Sequence, residues 1–494
     1  MYTETVTVVH VDGKEKLLFS LNNILQQPAF CNNKPVAFQR IGKLLSSLND
    51  NLSYIIEYPY IDSHYRDCYY FYHAAKFENL PRETIRVHIF KDVVKSKEFL
   101  FEKEDEGFRC KKDLLSDFYY GFFIVRPLHR FPLGHSFISP KAFAERQFLC
   151  ALMQERVYLL GIKLEVCAFP HVAQDTETHT CAESSLWTLL HYYGAKYRSY
   201  QTLLPSEIIK NLNSASVHRL LPSKGLSVNE LSSVLTKDGH SCMIYVNKTY
   251  RQMLLKIMRI YIESGIPLIV VLQNETSGHA IVAIGHENSS CEAPADGWKD
   301  MCTYDRKVVF MDDNMHPYEI VDANNPTAQY PNNKDMDISA LIVPLQKHMY
   351  LEAEQAYMLV DNIFNDAVVS LSRYGKNWQT RLLLTSGRAF KNSLLHDSLI
   401  PSKTKNIILN TALPKFIWLC EIYRGNNLQK NHCDGILVID STGGKSLSSV
   451  IMYLLEDKSF ITDGVLWIGH DPIPCFAKET YRHNLKGAWN EWKA

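Results

Sequence analysis

The sequence predicts an α+β protein of about three domains, on three observations. Its 494 residues exceed what a single core ordinarily holds, since domains run to roughly 100–200 residues. Aromatic and β-branched runs recur between turn residues, and the middle of the chain sets a helical stretch before a series of short apolar runs. The regions so outlined are residues 1–150, 151–344 and 345–494, the outer two expected as α/β units flanking the middle one.

With 46% hydrophobic and 12% aromatic residues the chain has ample material for packed cores, which excludes a disordered polypeptide. Its 53 basic residues balance 53 acidic ones, so no net positive field is available for a phosphate backbone or an anionic bilayer. Nucleic acid and membrane are therefore not expected as partners. The opening MYTETVTVVHVDGKEK lacks the basic and apolar segments of a signal peptide, and runs such as Ile266–Leu272 are far too short to span a bilayer. The expected location is the cytoplasm. The 12 cysteines are scattered without a CxxC pair or disulfide-framework spacing, so most are expected as small buried apolar side chains.

In the first region, Tyr54–Tyr60 and Tyr119–Val125 read as buried strands, and the charged FEKEDEG of Phe101–Gly107 reads as a solvated loop. In the middle region, Ser227-Val228-Asn229-Glu230 has the form of a capping box, starting a helix that Gly239 closes. Ser241–Val246 follows as a strand, then Tyr250–Ser264 as an amphipathic helix ended by Gly265. Ile266–Leu272, His279–Gly285 and Lys307–Met311 are the next strands. In the last region a helix is expected between His348 and Ser372. Leu413–Ile422 and Gly435–Ile439 are expected as paired strands, and Gly464–Ile468 is a further apolar run.

The chemistry stands at the two ends of the middle region. Cys181 opens CAESSLWTLLHYYG, where Ala182, Leu186, Leu189, Leu190 and Tyr193 share one helical face and Gly194 is suited to close the helix. At a helix N-terminus the free amide donors and the dipole favour a thiolate, the species that attacks a carbonyl carbon. Seven residues earlier, the Gln174 amide is placed to join the Cys181 backbone N–H in holding an oxyanion. His279 follows a glycine and opens an apolar strand, from which an imidazole can face a helix N-terminus. Asp312 ends the next strand in VVFMDDN, where a carboxylate can accept the second imidazole N–H and fix the tautomer.

In chain order, Gln174, Cys181, His279 and Asp312 resemble the papain-like cysteine peptidases, and the segment is most similar to the C39-like, bacteriocin-processing-like branch. The resembling residues are Gln174, the C-A-x-x-x-L-W-x-L-L-x-Y-Y-G run of Cys181–Gly194, Gly225-Leu226-Ser227, Gly265-Ile266-Pro267, Gly278-His279-Ala280 and Asp312, all within about 150 residues. The resemblance implies a papain-like domain in the middle region. It also implies Gln174 in the oxyanion hole, Cys181 as nucleophile, His279 as general base and Asp312 as its orienting acid. Strand alternation alone leaves Asp312 and Asp313 open, because Val308, Val309, Phe310 and Met311 are apolar on both faces. The family pattern favours Asp312, and Asp313 would then begin a turn, its side chain bonding the backbone two residues on.

Two decoys are set aside. His171, His179 and Cys181 suggest zinc, but a structural site takes four ligands, usually with a close pair. Ser441–Ser446 ends in GKS like a P-loop, yet Ile439 stands where the first glycine belongs, so a plain strand-to-helix turn is expected. The reading is thus a cysteine hydrolase, a peptidase or isopeptidase on a protein or peptide substrate, with no cofactor or metal implied. A thioester resolved by an amine or by a different acyl acceptor keeps acyl transfer and deamidation as alternatives, and a silent binding or sensor module is the alternative of another class.

Overall fold

The computed structural model describes residues 6–27, 36–91, 116–145, 147–213, 216, 220–223, 225–330, 335–365, 377–455, 458–462, 467–469 and 476–487. It is a mixed α+β protein organised on three large sheets. The charged Phe101–Gly107 lies outside the described residues, as do parts of the expected Gly464–Ile468 run and His348–Ser372 helix.

The first sheet takes β1 (Thr7–Asp12), β2 (Leu52–Tyr60), β3 (Thr84–Lys91), β4 (Tyr119–Val125) and β5 (Leu133–Ile138). The short β6 (Phe148–Cys150) leaves it, and β7 (Met153–Leu159) and β8 (Ile162–Val172) return, giving the antiparallel order β1-β2-β3-β4-β5-β8-β7. The second sheet collects β9 (Ser241–Val246), β10 (Leu268–Gln273) and β11 (Gly278–Glu287). It passes over β12 (Trp298–Asp300) and continues with β13 (Val308–Met311), β14 (Glu319–Val321) and β15 (Asp337–Leu345). Its order is β14-β13-β11-β10-β15-β9, with β6 added against the end of β11. The third sheet runs from β12 through β16 (Trp378–Ser386) and β17 (Phe416–Arg424). Past the short β18 (His432–Cys433) it continues with β19 (Gly435–Asp440), β20 (Val450–Leu455), β21 (Lys458–Thr462) and β22 (Trp467–Gly469).

Pairing therefore crosses the lines drawn from sequence. β7 and β8 belong to the first sheet although they follow residue 150, and β12 belongs to the third although it precedes residue 345. After β23 (Lys478–Glu479), β24 (Lys486–Gly487) returns to pair with β6. This junction requires a glycine at Gly285, where a Cβ would meet the Leu149 carbonyl oxygen at 2.1 Å. An ion pair, Glu263 with Arg381, crosses the boundary too. Glu263 accepts from Arg306 Nη2 at 3.0 Å and from Arg381 Nε at 2.7 Å, and Arg381 Nη1 reaches Glu421 at 2.9 Å.

The helices that matter for the site are α1 (Gln39–Ser47), α2 (Ser63–Phe71), α3 (Cys181–Lys196), α4 (Val228–Lys237) and α5 (Met253–Glu263). α4 carries the expected capping box, with Ser227 and Glu230 satisfying each other's backbone donors and Gly239 at φ +100° beyond its end. α5 is shorter than expected because Arg251, at φ +44°, breaks the backbone after Tyr250.

The helix headed by Cys181 differs most from its expected form. It runs past Gly194 to Lys196, and Ala182–Leu190 are buried on every side, as are Tyr192 and Tyr193. It is a wedge between the first and second sheets, packed against β7, β8 and β11, and so enclosed by protein on nearly every face. Gly194 is not its cap; a Cβ there would stand 2.5 Å from the Gln201 backbone, so the glycine permits a close crossing. The expected strand-to-helix turn after β19 is instead a strand-to-strand connection, with one 3-10 turn at Leu447–Ser449 leading into β20. Among the described residues no helix is long and apolar enough to cross a membrane.

Candidate functional site

Cys181 is the first residue of α3, half-buried, behind a capping box formed by Thr180 and Glu183. The Glu183 carboxylate accepts the Thr180 backbone N–H at 3.1 Å and bonds the hydroxyls of Thr180 and Ser223. T-C-A-E has the spacing of that motif and is the signal by which the helix start is legible one residue before the cysteine. One turn on, the Ser185 hydroxyl donates to the Ala280 carbonyl at 3.0 Å, fixing the helix against β11 beside His279.

His279 is the second residue of β11, and its Nε2 lies 3.0 Å from Asp312 Oδ1. The choice between the two aspartates follows from register. Val282 pairs with Met311, so carrying β13 one residue on sets Asp312 across from Ile281, on the same face as His279 and diagonal to it. Asp313 Oδ1 is 3.9 Å from the same nitrogen. Asp312, not Asp313, also forms the turn bond to the backbone two residues on, accepting Asn314 N–H at 2.9 Å. Its other oxygen takes the Tyr330 hydroxyl, and the Tyr330 ring stands edge-on to His279 with centroids 5.9 Å apart.

Burial opposes charge on His279, but the Asp312 carboxylate, with Cys181 and Asp313 nearby, raises its pKa well above the ordinary histidine value. The same burial acts on Asp312, yet His279, Tyr330 and the Asn314 N–H outweigh it and hold the carboxyl below its usual range. With Nε2 bound to Asp312, Nδ1 is the ring nitrogen left for the thiol. The arrangement can therefore hold a charged imidazole fixed by a carboxylate, a group able to give or take a proton in the cleft.

Gln174 lies in this cluster, where its side-chain amide donates to Asn314 Oδ1. His171 Nε2 donates to the Asp312 carbonyl at 2.9 Å, burial pushes its pKa down to about 4, and it belongs to none of the groups of potential ligands found among the described residues. The His171, His179 and Cys181 group considered in the sequence is thus not assembled. Arg40, from α1 in the first region, was not singled out by sequence. Its guanidinium donates to the Gln174 carbonyl at 2.9 Å and to Asn314 Oδ1 at 3.0 Å, tying the first region to the site. A cleft of about 380 Å³ opens here, lined by Arg40, Lys43, His279, Asn314 and Tyr330 among others.

Asp313 is 5% exposed, and neither carboxylate oxygen has a hydrogen-bond partner. Burial, with Asp312 alongside, pushes its pKa up to about 7 despite His279 and Arg40. A raised carboxyl binds its proton more tightly folded than unfolded, so it penalises the folded state increasingly as pH rises from the unfolded value near 3.9 through about 7. Asp313→Asn removes that penalty. Its melting temperature relative to the native protein is expected to be several degrees more favourable at pH 8 than at pH 5, measured by scanning calorimetry at both. A pH-independent difference would mean that Asp313 is already ionised at pH 5.

No protein-family model matches the chain, and no curated protein matches it.

Proposed function

We propose that the protein is a papain-like cysteine hydrolase that cleaves a peptide or isopeptide bond through a thioester on Cys181. What supports this is His279 held by Asp312 at 3.0 Å on the strand that Ser185 ties to the buried helix opened by Cys181. In the acylation step the Cys181 sulfur adds to the substrate carbonyl carbon, and the developing oxyanion is held by the Cys181 N–H and the Gln174 side-chain N–H. His279 then gives its Nδ1 proton to the leaving amine, and the C–N bond breaks to leave the thioester. Water, deprotonated by His279, attacks the thioester, releases the acid and restores the thiol. Asp312 keeps the ring oriented and stabilises its charge in both steps.

Selective alkylation tests the reading without knowledge of the substrate. Cys68, Cys150, Cys291, Cys302, Cys420 and Cys433 are buried, and burial pushes the half-buried Cys167 and Cys242 up to about 11. At pH 6, iodoacetamide followed by peptide mapping is expected to modify Cys181 at least ~10-fold faster than any of these, and His279→Ala should abolish the advantage. Equal labelling of Cys181 and Cys167 would remove the nucleophile and leave a binding module. Capture by Cys181→Ala of a protein that the native enzyme cleaves would then name the substrate.

A further inference from the structure

A second cluster of side chains joins α2 to the segment just before Cys181, and its chemistry is that of a metal site. α2 carries His64 and Cys68 one helical turn apart, so both project from one face. Asp62 caps that helix, accepting the Tyr65 N–H at 2.7 Å, and the face is turned inward, with His64 4% and Cys68 2% exposed. His179, 1% exposed and two residues before Cys181, meets them. Cys68 Sγ is 3.9 Å from His179 Nδ1, and the His64 and His179 rings stack with centroids 4.8 Å apart. One ligand atom from each of the three lies within 4.8 Å of the other two. Donors around a tetrahedral zinc, at bond lengths of about 2.0 Å to nitrogen and about 2.3 Å to sulfur, stand roughly 3.5 Å apart.

A second, independent observation points to a ligand. His64 Nε2 is fully buried and has no hydrogen-bond partner, an uncompensated polar atom of the kind that interiors avoid. A divalent ion would take up the orphaned nitrogen and convert the thiol to a ligating thiolate. The surroundings suit that charge, because Asp62 and Asp175 stand near with Arg126 as the buried cation 4.0 Å from Asp175. A divalent ion together with Arg126 matches the two carboxylates and the thiolate.

We propose that His64, Cys68 and His179 bind one zinc ion, with the fourth position completed from the neighbouring cavity lined by Asp62, His135 and Trp187. The ion ties α2 in the first region to the loop that delivers Cys181, a structural role independent of whether Cys181 turns over a substrate.

The test uses the full chain, freed of metal with a chelator and titrated with zinc alone, then with cobalt(II). Expected are one zinc per chain, a raised melting temperature and a thiolate-to-cobalt charge-transfer band. His64→Ala and Cys68→Ser should each weaken zinc at least ~10-fold and Cys68→Ser should erase the band, while His279→Ala keeps both. The control matters because His279, Asp312 and Asp313 form another group of potential ligands. No stoichiometric zinc, zinc undiminished in both cluster variants, or zinc lost only with His279→Ala overturns the proposal. If Cys68→Ser fails to fold, the band in the native chain still decides, since a thiol left protonated gives none.

Discussion

Cys181→Ala and His279→Ala are each expected to lower turnover on the order of 10³-fold or more, with the double variant scarcely worse than either. The reason is that neither group acts alone in the proposed mechanism. Without the imidazole, the thiol loses the partner that takes its proton, and the leaving amine loses its acid. Without the thiol, the imidazole has nothing to activate at the helix N-terminus. Rates on one substrate for the two single variants and the double variant close the cycle, and additive losses would separate the two residues into unrelated roles. Folding should survive both changes. Cys181 is half-buried, and α3 is anchored by Ser185 and by the capping box of Thr180 and Glu183 rather than by the thiol.

Asp312→Asn is expected to cost on the order of 10²-fold or more in turnover at pH 8 with little loss of stability. The amide preserves volume and can keep an oxygen toward His279 and the Asn314 N–H, while the Tyr330 hydroxyl turns to accept. What it removes is the negative charge that raises His279, so the imidazolium forms less readily. The alkaline limb of the pH–rate profile, where the imidazolium is lost, should therefore move to lower pH. Asp313→Asn should leave turnover within a few fold, because a carboxyl titrating only near 7 is already well imitated by an amide at or below that pH. A profile moved by Asp313→Asn and left in place by Asp312→Asn would transfer the orienting role to Asp313.

The strands of the middle region were readable because their apolar runs are short and bounded by turn residues. Ser241–Val246 is β9 residue for residue, and the Ser227 capping box starts its helix as expected. The residues surrounding the proposed triad were not readable. Arg40 reaches Gln174 across 134 positions, and Tyr330 reaches Asp312 from an irregular loop; neither belongs to a period or a local motif. His64 and Cys68 have helical spacing, but their third partner is 111 residues beyond Cys68. Gly194 misled for a different reason. A glycine near the end of an apolar helical run is read as a cap, whereas here it lets a second backbone pass, a demand visible only once Gln201 is in place.

The stitching of β24 onto β6, and of β6 onto the strand bearing His279, bears on how such a protein can change over evolutionary time. A module that is duplicated, fused or exchanged between genes must carry its own closed sheet and its own balanced charges. Residues 151–344 by themselves do not. They would leave behind β6 and β24, and Glu263 would keep Arg306 but lose Arg381. Excised at those lines, the proposed catalytic segment would lose both strands stitched against the end of the His279 strand, so an exchange that preserves the site has to carry both flanks with it.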